Sequence, residues 1–489
     1  MGLLGAKDQI KFTDFTVVYI HGFNFLPTDI RAPIEIKDLT EYMKQSNVVE
    51  AYWISASKSL PRGSSPKYDC FLASCKADSS ALMPGYLNKK RYARLKFFSI
   101  KVSFLDSSLG FLFGDLEINL NVLIHASGVG VATATLRVAG KGLTTDQVIK
   151  LRKDFSTAKC NIKDLEKTYF NVSLEYYINT VVVRSILRAL CKVYHKDEDQ
   201  LTPCVERYIK NRKAKIIWKT TILSVWEFEC DNCPSIDEAI KNHIKEFAAI
   251  ATGFVKWKDY RIDAAQRDLG ENLSNIEYVS YYVMIDGALH VTSKSRSFKD
   301  YEEILSDMID LIAPIEFLYA VGALLDIYSE YANNTIANTI SKYHPSENIN
   351  IKELDELIRR AVGIRDELAW SLREYYDFNF IELDPSKTIF ERGKERNRFT
   401  EWVEILGLQL DGLSKTIESL YDLERTRRND ETNRLLIFLG ILTLGQLAAD
   451  VSMYLRFSLQ AVLVSIVITV ALGFGFIVYV IRKRLLGLL

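Results

Sequence analysis

Two apolar runs near the C-terminus decide the organisation of this chain: LLIFLGILTLGQLAA at Leu435–Ala449 and LQAVLVSIVITVALGFGFIVYVI at Leu459–Ile481. The second run has no charged side chain and is long enough to cross a hydrocarbon core of about 30 Å as a helix. The first reaches only about 22 Å at 1.5 Å per residue, so its helix is expected to continue past Asp450 towards Leu455. Together the runs predict a membrane-spanning hairpin.

Basic residues flank this hairpin on both outer sides, whereas its short loop carries Arg456. The flanking residues are Arg425, Arg427, Arg428 and Arg434 before the first run, and Arg482, Lys483 and Arg484 after the second. Because basic loops stay in the cytoplasm, both termini are predicted to be cytoplasmic and Asp450 to lie near the outer face. The predicted location is the cell (inner) membrane, with two spans and membrane lipid as a partner.

The first span has an unusually polar side. Steps of three and four residues place one set of positions within about a third of the helix circumference. This set, the polar stripe, consists of Asn433, Leu436, Gly440, Thr443, Leu447 and Asp450. In the second span small residues recur every fourth position from Ala461 to Gly473, which allows close packing of membrane helices. The patterns predict a central pore lined by the first span, and a plain membrane anchor is the alternative.

Length and charge bound the rest of the chain. A chain of 489 residues is too long to fold around one hydrophobic core. Three parts are predicted: a cytosolic mixed α/β domain at 1–296, a helical and stalk region at 297–433, and a two-span transmembrane domain at 434–489. The 62 basic and 62 acidic residues balance, so no net field favours direct binding of nucleic acid. Dispersed cysteines in a cytosolic domain are expected to be free thiols.

The first part predicts an α+β or α/β fold. Strands are predicted at 15–20, where His21-Gly22 ends the strand, and at 48–55 and 216–228; an antiparallel meander with one buried face is predicted at 98–104, 116–124 and 129–139. Helices are predicted at 36–46, 146–155, 174–194 and 237–254, with a loop at 57–80. Thr144 and Gln147 form a capping box for the second of these helices. Asp286-Gly287 predicts a hairpin turn between 275–285 and 288–294.

The second part is predicted to be helical. The stretch 300–340 is apolar, but Asp310, Pro314 and Glu316 argue against a third membrane span. A charged amphipathic helix is predicted at 351–376. A heptad seam then marks a long stalk helix that continues into the first span. Its apolar positions are Phe399, Val403, Leu406, Leu410, Leu413, Ile417 and Leu420. Such a seam needs a partner helix from the same chain or from another subunit.

This order of parts resembles the CorA family of divalent-cation channels, most clearly from Phe399 to Arg484. The resemblance implies a homo-oligomeric ion channel or transporter, a pentamer around the first span, gated by its cytosolic domain. The Gly-Met-Asn triplet that ends the first span in that family is absent, and Ala448, Ala449 and Asp450 occupy its place. A ring of Asp450 carboxylates at the outer mouth would attract cations by charge alone, without selecting magnesium.

Divergent CorA-like proteins beside type III CRISPR systems resemble membrane effectors opened by a nucleotide second messenger in antiviral defence. This alternative function predicts a ligand of the cyclic oligoadenylate or SAM-AMP type. Cations interleaved with aromatic rings suit a phosphate-bearing adenine. The predicted ligand residues are Arg207, Lys210, Arg212, Lys213, Lys215 and Trp218. A solvated charged face is the alternative interpretation of this run. The expected ligands are therefore a nucleotide or a divalent cation, and no other cofactor is implied.

The sequence supports an enzyme less strongly than it supports a channel. Val17–Asn24 resembles the His-Gly turn of α/β-hydrolases, but no G-x-S-x-G nucleophile motif occurs, so no catalytic residues are predicted. Cys230, Cys233 and His243 supply part of a zinc ligand set, with free thiols as the alternative. The chain is predicted not to be an enzyme. A membrane-anchored enzyme or scaffold remains the alternative from another functional class.

Overall fold

A computed structural model gives the fold of this chain. It describes residues 10–25, 34–54, 92–195, 218–230, 233, 235–285, 287–292, 301–342, 359, 384–454, 463–464, 467–468, 471 and 475. The chain divides into two compact units. Unit 1 comprises Met1–Ile327 and Trp370–Val403, and unit 2 comprises Tyr328–Ala369 and Glu404–Leu489. The helical stretch after residue 300 is therefore shared between the units.

Unit 1 is built on a mixed sheet, which has eleven strands among the described residues. The strands are β1 Lys11–Asn24, β2 Ala51–Ile54, β3 Tyr92–Lys96, β4 Ile100–Phe104, β5 Asp115–His125, β6 Val129–Thr144, β7 Cys160–Lys163, β8 Thr168–Val172, β9 Lys219–Glu229, β10 Val279–Met284 and β11 Gly287–Thr292. Their order is β10-β11-β9-β1-β6-β5-β4-β7-β8, with β3 paired to β5 and β2 to β3. Only β11 and β9 run parallel among these pairs. The predicted mixed α+β class is confirmed.

The described helices pack around this sheet or follow it in the chain. They are α1 Ile36–Gln45, α2 Ser107–Phe113, α3 Thr145–Asp154, α4 Leu174–Tyr177, α5 Val183–His195, α6 Ile236–Asn242, α7 Ile244–Thr252, α8 Ile262–Leu269, α9 Tyr301–Lys342, α10 Asp384–Arg396 and α11 Phe399–Tyr454, with a π-helical turn at Ile178–Val182. The predicted capping box is confirmed at α3, because the Thr144 amide donates to Gln147 Oε1 at 2.9 Å. The predicted helix at 237–254 is interrupted at His243, which separates α6 from α7.

The centre of the sheet is β1, which pairs with β6 on one side and β9 on the other. Val17 lies opposite Leu136 of β6 and Leu223 of β9, and all three belong to the main apolar core. The strand does not end at His21-Gly22, as predicted, but continues to Asn24. Strand β6 continues to pair with β1 from Gly22 to Asn24, whereas the pairing with β9 ends at His21, so the glycine does not interrupt the ladder with β6.

The meander prediction was wrong about burial. Strands β4, β5 and β6 are antiparallel neighbours as expected, but β6 is buried on both faces from Val129 to Leu136. One face carries the apolar core, and the other carries buried polar side chains. These include Thr16, Arg94, Asn121, Thr133, Thr135, Ser224 and His290. Helix α9 covers part of this polar face, since Glu316 hydrogen-bonds Arg94 and Thr133.

Helix α9 explains the apolar stretch at 300–340. Among the described residues, one segment is long and apolar enough to cross a membrane, Asp307–Glu330, and 94% of its most apolar window is buried inside the protein. Packing against the sheet therefore accounts for its composition. Pro314 lies within the helix, so this proline does not end it.

Helix α11 is 56 residues long. It begins in unit 1 and enters unit 2 at Glu404. In the predicted seam Phe399, Leu406 and Leu410 are buried within the single chain. The side chains of Leu413, Ile417 and Leu420 lie outside the described part, as do the predicted loop at 57–80, nearly all of the helix at 351–376 and most of the second span. The unbroken helix is the structural link between the stalk and the first apolar run.

Candidate functional site

The polar stripe lies on α11, within unit 2. Asn433, Leu436 and Leu447 are exposed in the single chain. Outside its own helix backbone, a Cβ built on Gly440 meets nothing within 4 Å in the described part of the chain. The Thr443 hydroxyl donates within its own helix, with acceptors at the Leu439 and Gly440 carbonyls 3.0 and 2.9 Å away. The hydroxyl proton of Thr443 is therefore hydrogen-bonded whatever surrounds the helix. The lone pairs of the same oxygen remain available as acceptors on the stripe. Asp450 belongs to the same helix, but its side chain is outside the described part.

Exposed apolar residues lie on the stripe and beside it. Leu435, Leu436, Ile437 and Leu439 are all more than half exposed. Because consecutive helical residues point about 100° apart, these side chains span about 200° of the helix circumference. Within the described part of the chain these four side chains are left uncovered, and an exposed apolar surface of this kind marks a site of interaction with protein or lipid.

Trp218 occupies a packed junction in unit 1, immediately before β9. Its indole N–H donates to the Asp326 carboxylate on α9. Its ring stacks on Phe399, the first residue of α11, with centroids 4.9 Å apart and planes at 22°. Tyr319 and Trp402 meet the same ring edge-on. We call these five residues the Trp218 junction. It fixes the first turn of α11 to the sheet domain.

The other predicted ligand residues precede this junction in the chain. Arg207, Lys210, Arg212, Lys213 and Lys215 lie outside the described residues. Their role stays a prediction. The Trp218 ring contacts three aromatic rings of unit 1, so the structure shows it as a packing residue. The chain connection between the basic run and the junction is only a few residues long.

Close packing at the Trp218 junction predicts sensitivity to an added methyl group. A Cβ on Gly322 of α9 would come within 2.5 Å of the Trp218 ring. Gly322→Ala is expected to destabilise unit 1 by about 1–3 kcal/mol through overpacking. Gly412→Ala is the control, because a Cβ built there meets nothing within 4 Å in the described part of the chain outside its own helix backbone, and alanine favours a helix over glycine by about 1 kcal/mol. Thermal unfolding followed by tryptophan fluorescence compares the two. Equal or opposite shifts would contradict the packing shown at this junction.

His21 is a fully buried member of β1, although its sequence context resembled a hydrolase turn. Its Nε2 lies 3.2 Å from Asn179 Oδ1, and its Nδ1 lies 3.1 Å from the Tyr19 hydroxyl. The Asn179 amide nitrogen donates to the Glu175 carbonyl at 2.8 Å, which fixes its oxygen towards the histidine. Because that oxygen only accepts, the His21 proton sits on Nε2 and the Tyr19 hydroxyl donates to Nδ1.

The surroundings of Tyr19 keep its phenol neutral. Burial raises the pKa of Tyr19 well above its usual range, and the nearby charge of Glu175 acts in the same direction. The phenol therefore stays protonated and remains a donor to His21. Asn179 belongs to the π-helical turn, whose extra residue shifts the register of the helix at this point. The arrangement orients His21 as a structural group between β1 and this turn.

The sheet's polar face holds a buried ion pair. Arg94 of β3 and Glu316 of α9 are 1% and 0% exposed, and they form a two-pronged bond in which Arg94 Nη1 lies 3.0 Å from Glu316 Oε1. The Thr133 hydroxyl also donates to this carboxylate. A buried charge needs such a partner, because desolvation costs several kcal/mol per ion. The pair therefore specifies which turn of α9 meets β3 and β6.

The predicted zinc ligands come together in unit 1. Cys230, Cys233 and His243 have ligand atoms that all lie within 4.8 Å of one another. The structure joins the two cysteines as a disulfide, so the expectation of free thiols is wrong for this pair. The sequence pattern marked these three residues, whereas Glu246, Glu316, Asn179 and Asp326 carried no motif and were missed.

No protein-family model, curated protein or solved structure matches this chain.

Proposed function

We propose that this chain is a homo-oligomeric, CorA-like membrane ion channel or transporter that is gated by unit 1. The observation that carries the proposal is the continuity of α11. One unbroken helix starts at Phe399 in the Trp218 junction and ends beyond the polar stripe. A change in the position of its first turn would thus be passed along hydrogen-bonded backbone to the predicted pore.

Exposure of the apolar run supports membrane insertion and assembly. Leu435 and Leu447, at opposite ends of the run, are each 63% exposed in the single chain. Lipid covers apolar side chains on the outward side, whereas the stripe of Asn433, Gly440 and Thr443 suits a wet interior shared by several subunits. The early part of the heptad seam is already buried within one chain, so subunits are expected to meet mainly along the apolar run.

One connection favours the messenger-opened form of this function. Trp218 follows the basic run within a few residues and stacks on the first residue of α11. A phosphate-bearing ligand that draws Arg212, Lys213 and Lys215 together would pull directly on this ring. Opening by a nucleotide messenger is therefore the second candidate, and it specifies the gating ligand without changing the channel proposal.

The topology is tested by cysteine labelling on intact cells with a membrane-impermeant maleimide. Ser452→Cys is expected to react from outside, because it lies in the predicted outer loop. Gly487→Cys is expected to react only after permeabilisation. The unmodified chain is the control, since its own cysteines lie on the cytoplasmic side in this proposal. Labelling of Gly487→Cys from outside would contradict it. So would a monomeric mass for the detergent-purified protein by light scattering.

A further inference from the structure

We propose that Cys230, Cys233 and His243 form a zinc site in unit 1, and that Glu246 orients the histidine. This site is independent of ion conduction and goes beyond the proposed function. The three ligand atoms lie within 4.8 Å of one another, and Cys230 Sγ is 3.4 Å from His243 Nε2. The cysteine Cα atoms are 5.6 Å apart. One zinc ion bonds sulfur at about 2.3 Å and nitrogen at about 2.0 Å, so small shifts of these side chains would bring all three into its coordination sphere.

Separate elements supply the ligands. Cys230 follows the last residue of β9, with Cys233 three positions later. His243 lies at the break between α6 and α7, with φ −115° and ψ 35°. This break lets an imidazole that is nine-tenths buried reach the end of the strand. A metal here would tie β9, whose other end adjoins the Trp218 junction, to the two helices.

Glu246 provides the outer contact that is common at metal-binding histidines. Its Oε1 lies 3.3 Å from His243 Nδ1. A carboxylate at this position accepts the proton of Nδ1, so Nε2 presents its lone pair towards the two sulfurs. The same tautomer would accept a hydrogen bond from the Cys230 thiol when no metal is bound. The Glu246 carboxylate, the imidazole and the Cys230 sulfur are thus ordered as in a carboxylate–histidine–zinc arrangement.

The donor set selects zinc by its chemistry. Two thiolates and an imidazole suit zinc better than magnesium or calcium, which prefer oxygen ligands. The fourth tetrahedral position is left for water or another ligand. The zinc-bearing form is the reduced chain. A phosphine and one water open the disulfide to two thiols and leave as the phosphine oxide, and zinc then replaces the two thiol protons, which pass to solvent.

The site is tested on the full chain, purified in detergent, reduced with a phosphine and incubated with zinc. Metal analysis after dialysis is expected to give one zinc per chain. Replacing zinc with cobalt is expected to give the near-ultraviolet absorption of cobalt–thiolate bonds. The double variant Cys230→Ser, Cys233→Ser is expected to lose both the zinc and this absorption. Cys160→Ser is the matched control, because a serine hydroxyl can keep the bond that Cys160 Sγ makes to the Val172 carbonyl at 3.1 Å.

Glu246→Gln keeps the test decisive if the double serine variant fails to fold. This variant retains all three ligands, so one zinc per chain is expected, with affinity lowered about 10–100-fold. A reduced, folded chain that binds no zinc would overturn the proposal. Zinc binding that survives both cysteine substitutions, or cobalt binding without thiolate absorption, would also overturn it.

Discussion

Replacing Glu316 by alanine is expected to lower the free energy of unfolding of unit 1 by about 3–5 kcal/mol, which is the usual effect of removing one member of a buried ion pair. The substitution would leave the Arg94 guanidinium enclosed without the carboxylate that it contacts through both terminal nitrogens. The Thr133 hydroxyl would lose its acceptor in the same step. Urea unfolding of the full chain in detergent, followed by tryptophan fluorescence, measures the change.

Two further variants separate charge from packing. Glu330→Ala makes the same substitution on the same helix at an exposed position, and its effect is expected to stay within about 0.5 kcal/mol. The double variant Arg94→Met, Glu316→Leu replaces the pair by apolar side chains of similar size. It is expected to recover most of the lost stability, since buried ion pairs can often be replaced in this way. A Glu316→Ala effect as small as that of Glu330→Ala would contradict the buried pair.

Local signals in the sequence predicted most of the elements that the structure describes in unit 1. Alternating apolar residues identified β4, β5 and β6, and the Thr144–Gln147 pair identified the start of α3. These features depend on neighbours in the chain, so a sequence displays them directly. The predicted hairpin at Asp286-Gly287 corresponds to β10 and β11 for the same reason.

Long-range pairing explains what was missed. Strand β3, Tyr92–Lys96, was not predicted, and it carries Arg94 on the buried polar face of the sheet. Its carboxylate partner is 222 residues away on α9, where Glu316 only argued against a membrane span. The second buried face of the meander was invisible for the same reason, because its threonines and asparagine look like exposed residues until α9 covers them. Glu246 was likewise missed, since its contact with His243 carries no motif.

The largest functional effects are expected from the polar stripe of α11. A ring of Asp450 side chains at the outer mouth would concentrate cations, so Asp450→Asn is expected to reduce cation-over-anion preference about fivefold, equivalent to about 1 kcal/mol of lost attraction. Thr443→Leu removes a polar surface group and adds apolar bulk, so it is expected to dry the pore and reduce conductance. Phe438→Leu is the control, because this residue lies on the opposite side of the helix and the change is apolar.

Ion flux through liposomes that hold the purified protein tests the central claim most directly. Opposing potassium and chloride gradients report conductance and charge preference, and cyclic oligoadenylates or SAM-AMP are added to the side that bears unit 1. A pore lined by α11 predicts cation-selective flux, which Asp450→Asn makes less selective, Thr443→Leu makes smaller and Phe438→Leu leaves unchanged. Absence of flux with and without every ligand, or flux that neither stripe substitution alters, would show that α11 does not line a pore and serves as a membrane tether.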